Sequence, residues 1–195
     1  MTDIARLRRF VTSMTELADR SDDGDEAAMI EGTAPLLADL IAVDDWLPEA
    51  YAREGETYRQ YLLHCDPRQR FSVVSFVWAP GQTTPVHDHT VWGLIGVLRG
   101  AEIGQRFVPS AGGMTAGDEE VLETRAIDVV SPTRGDIHKV SNALADRASI
   151  SIHVYGANIG AVRRHVFDPA TGAPKDFISG YTGDTVPNLW DLSGP

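Results

Sequence analysis

The chain has 195 residues, 28 acidic against 17 basic, a formal net charge of −11 and an isoelectric point near 4.8. That length suits one domain with a substantial core, and the acidity argues against nucleic acid as a partner, because phosphate contacts need a basic surface. No apolar run is long enough to span a bilayer and the stretch from Met1 to Arg9 lacks an apolar signal core, so a cytoplasmic protein with no membrane partner is expected.

The first third reads as helical. Leu7, Phe10, Val11, Met14 and Leu17 recur at the spacing of one helical face. Ser21 to Asp25 then supplies a solvated acidic loop. A second helix is expected from near Thr33 to Ile41, with Pro35 tolerated in its first turn. A short helical turn is expected within Trp46 to Tyr51. Together residues 1–57 should form a helical layer packed on a barrel built from residues 58–195, in one structural domain.

From Tyr58 onward the pattern changes to short strands with turn signals. Phe71 to Trp78 is rich in β-branched and aromatic residues and ends at Pro80-Gly81. Trp92 to Leu98 and Glu102 to Val108 should pair with each other across Arg99-Gly100-Ala101, and Gly112-Gly113 and Ala116 to Asp118 read as turns. Further strands are expected at Glu120 to Arg125, Ile127 to Ser131, His138 to Ser141 and Ala148 to Tyr155. Many closely spaced short strands indicate an antiparallel sandwich or barrel. The Gly-, Pro- and Asp-rich stretch from Asp168 should wrap over it. The single cysteine, Cys65, can form no intrachain disulfide and is read as an ordinary thiol.

Two segments carry the chemistry. His87 and His89 are two apart, which on a strand places both imidazoles on one face, and His138 follows in Pro132-Thr-Arg-Gly-Asp-Ile-His138. Three such nitrogens could hold one ion with open positions opposite, and they suit iron, zinc, copper or nickel rather than magnesium or calcium. In Ser149 to Tyr155, the side chains of Ser151, His153 and Tyr155 alternate with Ile152 and Val154. The polar three therefore share one face, either as a buried hydrogen-bonded relay or as a solvated side of the strand.

Gly81, the HxH pair and Gly100, followed by Gly135, His138 and Asn142, resemble the two-part cupin signature. Gly93 stands where that signature has a glutamate, and the Pro132-to-Gly135 spacing is one residue longer. HDHTVWG, GDIH with its trailing Asn142, and the SxHxY strand together are similar to the thiol dioxygenase family, to which cysteine dioxygenase belongs. The resemblance spans Tyr58 to Tyr181. It implies an all-β cupin (a jelly-roll β-barrel), ferrous iron held by His87, His89 and His138, and a relay of Ser151, His153 and Tyr155. It also implies addition of dioxygen to a small thiol to give a sulfinate.

Gln60 replaces the carboxylate-binding arginine of animal cysteine dioxygenases, and Gly93 stands in place of the cysteine that crosslinks to their active-site tyrosine. The run Arg163 to Gly172 is similar to bacterial 3-mercaptopropionate dioxygenases, in which a late arginine receives the carboxylate; Arg164 is the match and Arg163 the register alternative. The substrate expected is 3-mercaptopropionate, held by Gln60 and Arg164. Cysteine as substrate, and another metal-binding cupin (isomerase, hydrolase or small-acid sensor), stay open.

Overall fold

The amphipathic stripe of the N-terminal segment forms helix α1 (Ala5–Arg20), which buries Phe10 and Met14. The computed structural model describes residues 4–21 and 24–183. Helix α2 (Glu26–Ile41) begins seven residues before the expected Thr33. Asp25 caps it, its side chain accepting from the Ala28 amide at 3.0 Å. Pro35 therefore lies inside the helix rather than in its first turn. Its cost, about 3 kcal/mol in a helix interior, is offset by burial of Met29, Ile30, Leu37, Leu40 and Ile41 along the same helix. The turn expected before the barrel is a single 3-10 turn, Glu49–Tyr51.

Eleven strands follow among the described residues: β1 (Arg59–Cys65), β2 (Ser72–Trp78), β3 (Val86–His87), β4 (Gly93–Arg99), β5 (Ala101–Ser110), β6 (Gly113–Glu123), β7 (Ile127–Val130), β8 (His138–Asn142), β9 (Ser149–Tyr155), β10 (Arg164–Phe167) and β11 (Pro174–Phe177). They form two antiparallel sheets, β1-β2-β9-β4-β7 and β11-β10-β3-β8-β5-β6. This is the jelly-roll arrangement expected of a cupin, with a helical layer added.

Two local expectations are corrected. β4 and β5 do not pair: β4 lies between β9 and β7 in one sheet, and β5 between β8 and β6 in the other. The chain changes sheets at Gly100, whose φ of 75° makes a corner that a side chain would strain. Ala116 to Asp118 is not a turn but part of β6, where the register against β5 shifts between Gln105 and Phe107. A bulge absorbs the small residues that read as a turn in one dimension.

The core has two parts, and they explain the site. Ile150, Ile152 and Val154 of β9 join Leu94 and the buried faces of α1 and α2 in a cluster outside the first sheet. On the inner face, Val74, Phe76, Trp78, Val140 and Tyr155 form a second cluster between the sheets. The alternation read in the β9 sequence thus separates helix packing from the barrel interior. Every residue of β9 is buried, so its polar face is internal rather than solvated.

Candidate metal centre

His87 ends the short strand β3, and the register pairs it directly with His138 at the start of β8. His89 lies just past β3, so the HxH pair is not carried on one continuous strand. It is held instead by Asp136, which accepts from the backbone amides of His89 (3.0 and 2.9 Å) and Thr90 (2.7 Å) and from His89 Nδ1 (2.8 Å). His87 Nδ1 donates to the Pro85 carbonyl at 3.0 Å. With Nδ1 engaged in both rings, each Nε2 keeps its lone pair for an ion.

The three ring centroids stand 4.8, 4.9 and 4.9 Å apart, and the nitrogens able to coordinate lie within 4.8 Å of one another. All three imidazoles are buried. Burial pushes His87 down to about 4 and holds His89 and His138 well below the usual histidine range. The set is therefore neutral near neutral pH without loss of a proton, as coordination requires. These residues fit a borderline divalent ion such as iron or zinc, with no carboxylate among the ligands.

A cavity of about 190 Å³ opens over the histidines, lined also by Tyr58, Gln60, Phe76, Trp78, Tyr155 and Arg164. Ser151 Oγ is 2.7 Å from His153 Nε2, and His153 Nδ1 is 2.8 Å from the Tyr155 hydroxyl. Burial lowers His153 to about 3 and raises the Tyr155 phenol, so both are neutral. The Tyr155 ring stacks on His89 with centroids 5.4 Å apart. Gly93 faces that ring across the β4–β9 ladder, and a Cβ there would stand 2.7 Å from it. The glycine thus makes room for the phenol, and no cysteine stands there to crosslink it.

The two arginines separate cleanly. Arg163 is exposed and pairs with Asp176 at 3.1 Å. Arg164 is 3% exposed, with its guanidinium 4.6 Å over the Phe177 ring and Nη2 donating to Ser179 Oγ at 2.6 Å. It forms no ion pair among the described residues, and its Nε has no hydrogen-bond partner. Gln60 also lines the cavity, but its amide nitrogen bonds Ser179 Oγ (3.1 Å) and the Gly180 carbonyl (2.9 Å). Both N–H donors are spent on the chain segment that wraps the cavity, which leaves only an acceptor oxygen for a ligand.

Several supporting residues escaped the sequence reading. Asp136 lay within the GDIH motif as a carboxylate two residues from a histidine, and that adjacency was the available signal. Asp88, between the two HxH histidines, accepts from the His165 backbone amide and Nδ1, both at 2.7 Å, and so fixes β10 beside the cavity. Ser179 and Phe177 carried no local pattern at all.

No family model matches the chain. Among solved structures, it is similar to a Klebsiella pneumoniae protein with a double-stranded β-helix domain, at 15% identity, 69% of this chain, 97% of that chain and a TM-score of 0.47. A cupin 2 conserved barrel protein from Salinispora arenicola matches at 20% identity, 56% of this chain and 83% of that one, with a TM-score of 0.42. A cupin superfamily protein from Desulfitobacterium hafniense matches at 13% identity, 59% and 93% coverage and a TM-score of 0.44. The chain's own two antiparallel sheets make it a jelly-roll β-barrel of the cupin kind. Within it sits a three-histidine cluster able to bind a metal. No helix among the described residues is long and apolar enough to cross a membrane.

Proposed function

We propose that this protein is a non-haem iron thiol dioxygenase that converts a small thiol carboxylate, first of all 3-mercaptopropionate, to its sulfinate. In the overall reaction both atoms of dioxygen join the sulfur, which supplies all the electrons the dioxygen takes up, and the thiol proton is released. Ferrous iron on His87, His89 and His138 would supply the Lewis acidity that makes the thiol a thiolate and the redox chemistry that joins it to dioxygen.

The observation that carries the reading is Arg164. A guanidinium stays charged even when buried, and an unpaired buried charge is costly. Arg164 meets a hydroxyl and a ring but no carboxylate, while its free Nε faces no partner. A ligand carboxylate would complete it in a charge-assisted bond. Its field also reaches His87, His89 and Tyr155, so an anion held there would sit in the same electrostatic neighbourhood as the histidines.

The remaining residues have matching roles. Tyr155 offers a hydroxyl to the cavity, and His153 and Ser151 orient it. Phe76, Trp78 and Val140 give apolar walls that exclude water and strengthen the polar contacts. A cavity of about 190 Å³ suits a molecule of only a few heavy atoms. The acceptor left on Gln60 could take an ammonium hydrogen, which makes cysteine the second substrate to test.

The test is oxygen uptake by iron(II)-loaded protein with 3-mercaptopropionate and with L-cysteine, the product identified by mass. Uptake matched by sulfinate, with higher kcat/KM for 3-mercaptopropionate, supports the full reading. Higher kcat/KM for cysteine keeps the reaction and rejects the substrate. No uptake with either, despite bound iron, rejects the reaction.

A further inference from the structure

A second cavity touches the metal centre, and its charge is opposite to that of the first. Residues of β5, β6 and β7 line about 240 Å³ of space, and among the described residues His138 alone lines both cavities. His138 is 2% exposed. Neither of its ring nitrogens has a hydrogen-bond partner among the described residues, whereas His87 and His89 are each tied through Nδ1. One nitrogen serves the ion, and the other ring nitrogen of a metal-binding histidine ordinarily has a partner as well.

Arg164 is the one charged side chain lining the first cavity. The second is lined by Asp118, Glu120 and Asp128 against Arg106, a formal excess of two negative charges. Arg106 is already committed. Its Nη2 donates to Asp128 Oδ1 at 2.6 Å and to the Val129 carbonyl at 2.8 Å, and Nη1 to the Gly135 carbonyl at 3.1 Å. Asp118 and Glu120 are exposed and form no ion pair among the described residues. A divalent cation is repelled by Arg164 and drawn to the carboxylates, while an anionic thiol meets the reverse.

We propose that the second cavity is a capture site for a hydrated divalent cation, with Asp118, Glu120 and Asp128 as its anionic wall, and that His138 takes the ion from it into the triad. Carboxylates hold such an ion loosely with its water, and imidazoles hold a borderline ion more firmly, so transfer runs toward the histidines. The two cavities then sort cation and anionic substrate by charge. The inference rests on the reading of the triad as a metal centre and not on thiol oxidation.

The capture site can be blocked as well as neutralised. Gly104 of β5 lines it, and within 4 Å a Cβ there would meet only Leu122 Cδ1, at 3.8 Å. A leucine at that position would fill the cavity.

The test is stopped-flow uptake of cobalt(II) by the metal-free full chain, followed by the visible absorption of the bound ion, with Kd measured separately by chelator competition. The double variant Asp118→Asn, Glu120→Gln should bind about tenfold more slowly at low salt. The difference should close near 1 M salt, where the screening length is about 3 Å. Gly104→Leu should be slowed at every salt concentration. Both should keep a Kd close to that of the wild type, because the triad is intact, so dissociation slows in proportion. A variant damaged in structure would instead raise Kd. The pair Glu31→Gln, Asp39→Asn removes the same charge from exposed positions of α2 and should leave the rate unchanged. Wild-type rates at low salt in either capture-site variant, or equal slowing in the α2 pair, overturn the inference. Should Gly104→Leu not fold, the charge variant decides alone, since both its residues are exposed. Wild-type protein that takes up no cobalt removes the metal centre and the capture site together, whereas uptake without thiol oxidation counts against the proposed function only.

Discussion

Arg164 donates through Nη2 to Ser179 Oγ across 2.6 Å, and the same hydroxyl oxygen receives Gln60 Nε2 at 3.1 Å. Two residues far apart in the chain are thus tied to one point on the segment after β11. The guanidinium is anchored on one side and keeps Nε without a partner.

Replacing Arg164 by Ala should leave metal content unchanged and raise KM for 3-mercaptopropionate. A charged hydrogen bond is worth about 1.5–3 kcal/mol, so kcat/KM should fall by roughly 10- to 100-fold. Cysteamine, a thiol without a carboxylate, should lose nothing. Oxygen-uptake kinetics with both thiols check this, and an unchanged concentration dependence for 3-mercaptopropionate would refute the carboxylate assignment.

Asp136 organises His89 through four contacts at 2.7–3.0 Å, to the His89 amide and ring and to the Thr90 amide. Asp136→Asn replaces an oxygen with a donor that faces donors. Metal affinity should drop by about 10- to 100-fold, the usual loss when a ligand's supporting carboxylate is removed. Competition against a chelator of known affinity measures it. Retained affinity would mean that the triad is positioned by its backbone alone.

Gly93→Ala puts a methyl group 2.7 Å from the Tyr155 ring. The strand ladder on both sides restrains relief, and overpacking of this kind costs about 1–3 kcal/mol. The urea midpoint should fall while the histidine site still binds metal. A variant as stable as the parent would show that the ring has room to move.

The metal-free protein should be most stable near pH 6.5 as far as these buried groups decide. Folding lowers the four buried histidines, His87 to about 4, His153 to about 3 and His89 and His138 well below the usual value. Below about 6.5 the unfolded chain binds protons that the folded one refuses, so stability falls with pH by about 1.4 kcal/mol per unit for each. Glu102 acts oppositely, since its folded value is raised to about 8 from 4.5. Between those values the folded state holds the extra proton, so stability rises as pH falls toward about 6.5. Four histidines outweigh one glutamate below that point. Urea unfolding across this range checks the sign, and stability that increases steadily toward about pH 5 would contradict it.

The periodic parts of the structure were legible in one dimension because burial imposes a period. Leu7, Phe10 and Met14 mark the inner face of α1, and Ile150, Ile152 and Val154 mark the helix-facing side of β9. The histidine triad and the SxHxY strand were visible for the same reason: coordination and strand geometry restrict which residue types stand at which spacing. Features decided by contact between distant segments were not visible. Sequence neighbours Glu102 to Val108 and Trp92 to Leu98 looked like a hairpin, yet a corner at Gly100 sends them to different sheets. The start of α2 was misread because Pro35 is a strong local signal, while the burial that outweighs it comes from the sheet.

Sequence alone therefore determined the helical layer, the strand-rich barrel and the identity of the polar groups, because each leaves a local pattern of residue type and period. Tertiary structure alone decided that Arg164 and not Arg163 faces the cavity, that Gln60 spends its donors on the wrapping segment, and that Asp136 holds His89. Those outcomes depend on which strand lies beside which, and on how much water each group loses there. No single stretch of chain encodes either.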